Sequence, residues 1–203
     1  MNKHVLLIYG LPGSGKTTLA QAVHDLTRNE SIWFNADKVR STLSSDLNFS
    51  EASRIEQARR MGCLASLALD GSSLSLAIVD FVNPTLPTYS TFLENLNRPV
   101  GNRLDDSGRI PESFLGGTEY PVVSVLMDTI RKDESRFADT AELFQRSGGC
   151  RKPDLHITSY LKTEQEFLDL ARKVLTYIEV ITFIDRVGGP TSDSTVGPEP
   201  ALG

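Results

Sequence analysis

One short run constrains this chain more than anything else in it. Gly10-Leu11-Pro12-Gly13-Ser14-Gly15-Lys16-Thr17, followed by Thr18, fits the pattern G-x-x-x-x-G-K-[ST] in full. Before it stands Val5-Leu6-Leu7-Ile8-Tyr9, a continuous apolar run that suits a strand buried on both faces of a parallel sheet. After it, Lys16 to about Arg28 reads as a helix with Leu19, Ala20, Val23 and Leu26 on one face. With glycine at about 7% of residues, the bare pattern arises by chance in roughly one chain in a hundred of this length. The flanking strand and helix lower that further.

The chemistry of such a loop follows from its residue types. Glycines let the backbone wrap a phosphate without Cβ clashes. Successive N–H groups and the helix N-terminus direct partial positive charge at the anion. Lys16 is placed to reach the β- and γ-phosphates of ATP, and the Thr17 hydroxyl to ligate Mg²⁺. The loop therefore predicts ATP and Mg²⁺ as cofactors. It does not say whether phosphate is passed to water or to a substrate.

The remaining chain predicts alternating strands and helices. Ser31 to Asn35 reads as a strand and Asp37 to Leu43 as a short helix. Ser50 is a plausible N-cap for a helix burying Ile55, Ala58, Gly62, Ala65 and Leu69, which Gly71 ends. Leu74 to Val82, Pro121 to Met127 and Leu155 to Thr158 read as further strands, and Thr163 to about Tyr177 as an amphipathic helix. This order predicts an α/β fold: a P-loop NTPase three-layer sandwich with a mainly parallel sheet. Ligands in such folds bind at the carboxyl ends of the strands, where every motif here falls.

The expected organisation is one P-loop domain over residues 1–180. It carries an inserted loop at 97–120, rich in Gly, Asn, Asp, Ser and Pro, and a lid segment at 130–153. Residues 181–203 read as a largely disordered tail. Over 203 residues the chain is 39% hydrophobic and 23% charged, which suits a globular core. A net charge of −5 argues against general nucleic-acid binding, which needs a basic surface. The apolar run at Val5–Tyr9 is too short for a signal core or a membrane span, and no other segment reaches spanning length. The expected location is cytoplasmic, with Cys63 and Cys150 as ordinary reduced thiols.

A second constellation follows the second strand. In Asn35-Ala36-Asp37-Lys38-Val39-Arg40, Asp37 could accept a proton from an attacking hydroxyl, and Arg40 lies one helical turn on. The same residues also read as a helix-start carboxylate and a solvated arginine. Phe49 sits in the polar turn Asp46-Leu47-Asn48-Phe49-Ser50, where an aromatic is either a core plug or a stacking platform. In Arg54-Ile55-Glu56-Gln57-Ala58-Arg59-Arg60, Arg54 and Gln57 are expected on a face opposite the apolar stripe, either holding a nucleotide or forming a solvated basic face. Asp80 ends Leu76-Ala77-Ile78-Val79-Asp80, which looks like a strand whose carboxylate helps hold Mg²⁺; a structural hydrogen bond is the other reading.

Taken together, GLPGSGKTT, NADKVR, DLNFS, SRIEQARR and Phe81-Val82-Asn83-Pro84 resemble adenylylsulfate (APS) kinases in order and spacing. That family carries Asp-Gly-Asp-Asn-x-Arg, Asp-Leu-Gly-Phe-Ser, Arg-x-Glu-Asn-x-Arg-Arg and Phe-Ile-Ser-Pro segments. The resemblance is dense from Tyr9 to Pro84. It is thinner through Met127-Asp128-Thr129 and Arg136 to Phe144, as in a divergent or phage-type member. It implies phosphorylation of the ribose 3′-hydroxyl of adenosine 5′-phosphosulfate, giving PAPS. Asp37 would then be the catalytic carboxylate. Arg40 and Arg54 would bind the phosphosulfate region, Phe49 would stack on adenine, Gln57 would stand where the family has Asn, and Val82 and Asn83 would line the substrate. Relatives commonly dimerise, so the resemblance allows a homodimer.

Three departures qualify it. Asn35 replaces the first Asp of Asp-Gly-Asp, a loss that Asp80 could offset. Asn83 replaces a serine that can be phosphorylated in some relatives. The family's Asp-Pro-Lys-Gly-Leu-Tyr lid is replaced by Arg136-Phe137-Ala138-Asp139-Thr140, in which Arg136 is either a lid arginine or a solvated one. A kinase retargeted to another nucleotide, such as a cytidine diphosphate derivative, and a non-catalytic nucleotide-binding protein are the competing expectations.

Overall fold

The computed structural model describes residues 3–83, 85–97, 119–129 and 152–187. Ten elements run in the order β1 (His4–Gly10), α1 (Lys16–Leu26), β2 (Ser31–Asn35), α2 (Ala36–Ser41), α3 (Glu51–Asp70), β3 (Leu76–Phe81), α4 (Leu86–Leu96), β4 (Val122–Met127), β5 (Leu155–Ile157) and α5 (Glu164–Val187). The strands form one sheet in the order β2-β3-β1-β4-β5, and every described pairing is parallel. Central β1 lies between β3 and β4 and is buried along its whole length. A strand covered on both faces cannot alternate polar and apolar residues, which is why Val5–Tyr9 is uninterrupted.

Helices on each face complete three layers. Val5, Leu7 and Tyr9 pack with Ala58, Met61, Ala65, Tyr89 and Phe92 of α3 and α4. Leu6 and Ile8 point the other way, onto Leu19 and Val23 of α1 and Ala171 and Val174 of α5. The two-residue period of the strand thus divides one apolar run between two cores. Gly62 allows α3 and α4 to meet closely: a Cβ there would press into the Phe92 carbonyl oxygen.

Helix α3 begins and ends where its caps predict. The Ser50 side chain accepts from Ser53 N, and Gly71 N returns to Leu67 O. Helix α4 has no counterpart in the sequence reading. Its start is a reciprocal Thr85/Thr88 capping box with proline in the first turn, and its inward residues are Tyr89, Phe92 and Leu96. That spacing was the available signal, weakened by a short helix of mixed polarity.

Two boundaries differ from expectation. Helix α5 runs on to Val187, past residue 180, because Ile178 and the half-buried Ile181 extend the stripe begun by Leu170, Ala171 and Val174. Leu26, expected on the apolar face of α1, is its last residue and is 42% exposed. Most of the 97–120 insert, nearly all of the 130–153 segment, with Arg136 and Cys150, and residues 188–203 lie outside the described residues. Among the described residues, no helix is long and apolar enough to cross a membrane.

Candidate functional site

The carboxyl ends of β1, β2 and β3 lie side by side, and their register decides what meets. Asn35 of β2 and Ile8 of β1 are both register partners of Asp80 in β3. β1 then opens into the glycine-rich loop. Gly10 has φ 142°, and its N–H donates to Val82 O (3.4 Å) beyond β3. A Cβ at Gly10 would collide with the Met127 carbonyl oxygen of β4. Gly13 and Gly15 take φ of 83° and 89°, the left-handed region that side chains avoid. Thr129 adds a brace from beyond β4, its hydroxyl donating to Ser14 O (2.8 Å). Gly10→Ala should therefore destabilise the fold by about 1–3 kcal/mol from backbone strain alone. Urea midpoints would check this; an unchanged midpoint would show that the loop relaxes freely.

Gly15 serves as the N-cap of α1, with Lys16, Thr17 and Thr18 in the first turn. Lys16 is buried, and its Nζ donates to Leu11 O (2.7 Å) across the loop. Burial pulls its pKa down to about 8, against the opposing pull of the Asp80 and Asp37 charges. Thr17 and Thr18 are exposed at the mouth of the loop.

Asp80 is the most densely bonded polar group in the site. Thr17 Oγ1 donates to its Oδ2 (2.9 Å), and Trp33 Nε1 to its Oδ1 (2.7 Å). Asn35 Nδ2 lies 3.2 and 3.0 Å from the two oxygens. The carboxyl is buried, which raises its pKa, while these three donors oppose the rise. Asn35 also caps α2, its Oδ1 accepting from Lys38 N (3.0 Å). The residue read only as a lost carboxylate thus ties strand, helix and loop together. Trp33 was not singled out by the sequence at all, because nothing local links it to a residue 47 positions away.

The Thr17 hydroxyl and the Asp80 carboxylate form a hard-oxygen pair of the kind that suits Mg²⁺. No group of three or more His, Cys, Asp or Glu among the described residues could hold a metal. A cation here would need further oxygens from phosphate and water, the usual situation for Mg²⁺.

The residues expected to bind an acceptor also come together. Asp37 is exposed in the first turn of α2, and its charge acts on both Lys16 and Arg40. Arg40 donates to Asn48 O (2.7 Å) and lies 4.9 Å from the centre of the Phe49 ring. Arg54 lies 5.8 Å from the same ring and donates to Phe49 O (2.9 Å). Phe49 is 69% exposed, so it is no core plug. Burial and the neighbouring Arg54 charge lower the pKa of Arg40.

Gln57 corrects the sequence reading. It is not opposite the apolar stripe but on the buried face of α3 beside Ala58 and Met61, 2% exposed. Neither amide atom meets a hydrogen-bond partner among the described residues. Beyond β3, Val82 is half-buried, and Asn83 is fully buried with φ 45°, a conformation asparagine tolerates.

One ion network escaped the sequence reading. Arg60 grips Asp46 with two bonds (2.6 and 2.7 Å), donates to Leu43 O (3.0 Å), and pairs with Glu56 (2.9 Å). Glu56 is also gripped by Arg59, and the two arginines hold its pKa down to about 2. The loop leading to Phe49 is thereby tied to α3. If Phe49 and its two arginines hold an acceptor, as the sequence leads one to expect, Arg60→Ala should lower kcat/KM for that acceptor by up to about 10²-fold through misplacement, with KM for ATP little changed. Equal loss on both substrates would refute this role. The folded Glu56 pKa lies below its ordinary 4.5, so this contribution is present above that pH and is lost as pH falls toward 2.

Residues 2–91 match the family model for adenylylsulphate kinase. An adenylyl-sulfate kinase of Geotalea daltonii is 42% identical over 83 residues, covering 39% of this chain and 40% of that protein. One from Penicillium chrysogenum is 40% identical over 79 residues, 37% of this chain and 36% of that protein. The matched stretch thus spans about two fifths of the length of these curated relatives. Among solved structures, an APS kinase of Mycobacterium tuberculosis in complex with AMPPNP and APS superimposes with a TM-score of 0.60 at 21% identity, covering 88% of this chain and 98% of that one. A hexameric APS kinase from Thiobacillus denitrificans gives 0.60 at 19% identity, covering 90% of this chain and 30% of that one. The sheet and its helices therefore have a P-loop kinase fold, and the sequence likeness to adenylylsulfate kinases lies in the N-terminal half.

Proposed function

We propose that this chain is an ATP-dependent phosphotransferase acting on an alcohol, and that its acceptor is the ribose 3′-hydroxyl of adenosine 5′-phosphosulfate, giving PAPS. The observation that carries the reading is the position of Asp37, whose charge reaches both the loop lysine Lys16 and the acceptor-side Arg40. A hydroxyl held there has a base beside it and a triphosphate site next door.

In this reading, the loop from Gly10 to Thr18 binds the triphosphate through its amides and Lys16. Thr17 and Asp80 would hold Mg²⁺, which, when bound, neutralises charge on the phosphate oxygens. Arg40 and Arg54 clamp the anionic end of the acceptor, and Phe49 offers its exposed ring to adenine. Gln57 supplies a buried amide seeking polar partners, and Val82 and Asn83 line the acceptor from the end of β3. Asp37 orients the hydroxyl and takes its proton as the new O–P bond forms and the bond to the β-phosphate oxygen breaks, releasing ADP. Arg136 would add charge stabilisation from outside the described residues.

The test is mass spectrometry of a reaction containing ATP, Mg²⁺ and adenosine phosphosulfate. PAPS is the expected product. Transfer to another nucleotide in a parallel panel, with none to adenosine phosphosulfate, would keep the kinase and change the acceptor. No transfer at micromolar protein would leave a nucleotide-binding protein without catalysis.

A further inference from the structure

We propose that Trp33 is a positioning residue for the Mg²⁺·ATP site: its indole N–H fixes the Asp80 carboxylate so that the other oxygen meets Thr17. This rests on the reading that Thr17 and Asp80 hold the metal.

The geometry is specific. Asp80 Oδ1 accepts from Trp33 Nε1 at 2.7 Å, while Oδ2 accepts from Thr17 at 2.9 Å. With Asn35 Nδ2 beneath both oxygens, the carboxylate is held by donors from β2 and α1 and has little freedom to rotate. Trp33 and Asn35 stand two apart on β2, so both project to the same face of the sheet. The indole is itself held in place. The Lys38 ammonium lies 5.1 Å from the ring centre, and the His24 ring packs 6.3 Å away, tilted by 45°. An indole N–H is a donor only, so it engages Oδ1 alone and leaves Oδ2 as the oxygen turned toward Thr17. Outer partners of this kind orient a metal's direct ligands and tune their affinity.

A merely structural role would be to satisfy a buried carboxylate. That role predicts lower stability and nothing more. The positioning role predicts a specific loss. In Trp33→Phe the ring remains and the donor goes. The gain in ATP affinity on adding Mg²⁺, measured by calorimetry with and without EDTA, should shrink by about tenfold, the lower end of the range for outer partners. ATP binding in EDTA should stay within about twofold of wild type, since the loop amides are untouched. A Mg²⁺ gain equal to that of wild type would overturn the inference alone. Wild-type binding indifferent to Mg²⁺ would overturn the metal reading and the inference with it. The chain holds a single tryptophan, which supplies a measurement on the unaltered protein. Adding Mg²⁺ to the ATP-saturated wild type should shift its emission, and Asp80→Asn should remove that shift. If Trp33→Phe does not fold, an emission that ignores Mg²⁺ decides against the inference.

Discussion

Lys16→Ala is expected to lower phosphotransfer by at least about 10²–10³-fold, the cost of removing one preorganised donor from a site of developing charge. The physical reason is visible in the loop. The ammonium is buried, its pKa is pulled down to about 8, and among the described residues it donates to the Leu11 carbonyl. A buried cation has a large electrostatic gain available from phosphate oxygens, which would raise its pKa again and offset the cost of its burial. Alanine removes the charge and the reach together. Initial rates with radiolabelled ATP would measure the loss, with circular dichroism to confirm folding. Turnover near that of wild type would remove the loop from the mechanism.

Asp37→Asn is the second large effect. A fall in kcat of about 10²–10⁴-fold is expected, the usual contribution of a positioned base. ATP binding should change far less, because Asp37 is exposed and the α2 cap is made by Asn35. Asparagine preserves shape and helix position while losing the proton acceptor. The separation of kcat from ATP affinity is the diagnostic. If ATP affinity falls while the rate survives, Asp37 serves the nucleotide and the base must be sought elsewhere.

These two residues show how far sequence can carry a site. Lys16 belongs to a contiguous motif whose residues act within a few ångströms of one another, so spacing along the chain is nearly spacing in space. Asp37 and Arg40 share one turn of helix, and that too is local. Phe49 could be seen in its polar turn, but whether it faced the core or the solvent depended on how Arg40 and Arg54 converged on it. Gln57 lies on the buried face rather than opposite it because α3 buries a wider face than its most apolar residues mark out. A polar residue in that face breaks the pattern that periodicity relies on. Nothing local marks Arg60 or Trp33, because their partners, Asp46 and Asp80, lie 14 and 47 residues away.

Local chemistry alone determined the strand–loop–helix that cradles phosphate, the alternation that makes a parallel sheet, and the caps of α3. Each depends on backbone preferences or on residues a turn apart. Only the tertiary structure decided that Asn35 and Asp80 are partners across β2 and β3, that an indole aims the carboxylate, and that a network around Arg60 ties down the loop before Phe49. Those contacts depend on strand register and on the convergence of distant helices. Both are set by packing of the whole core rather than by any segment within it.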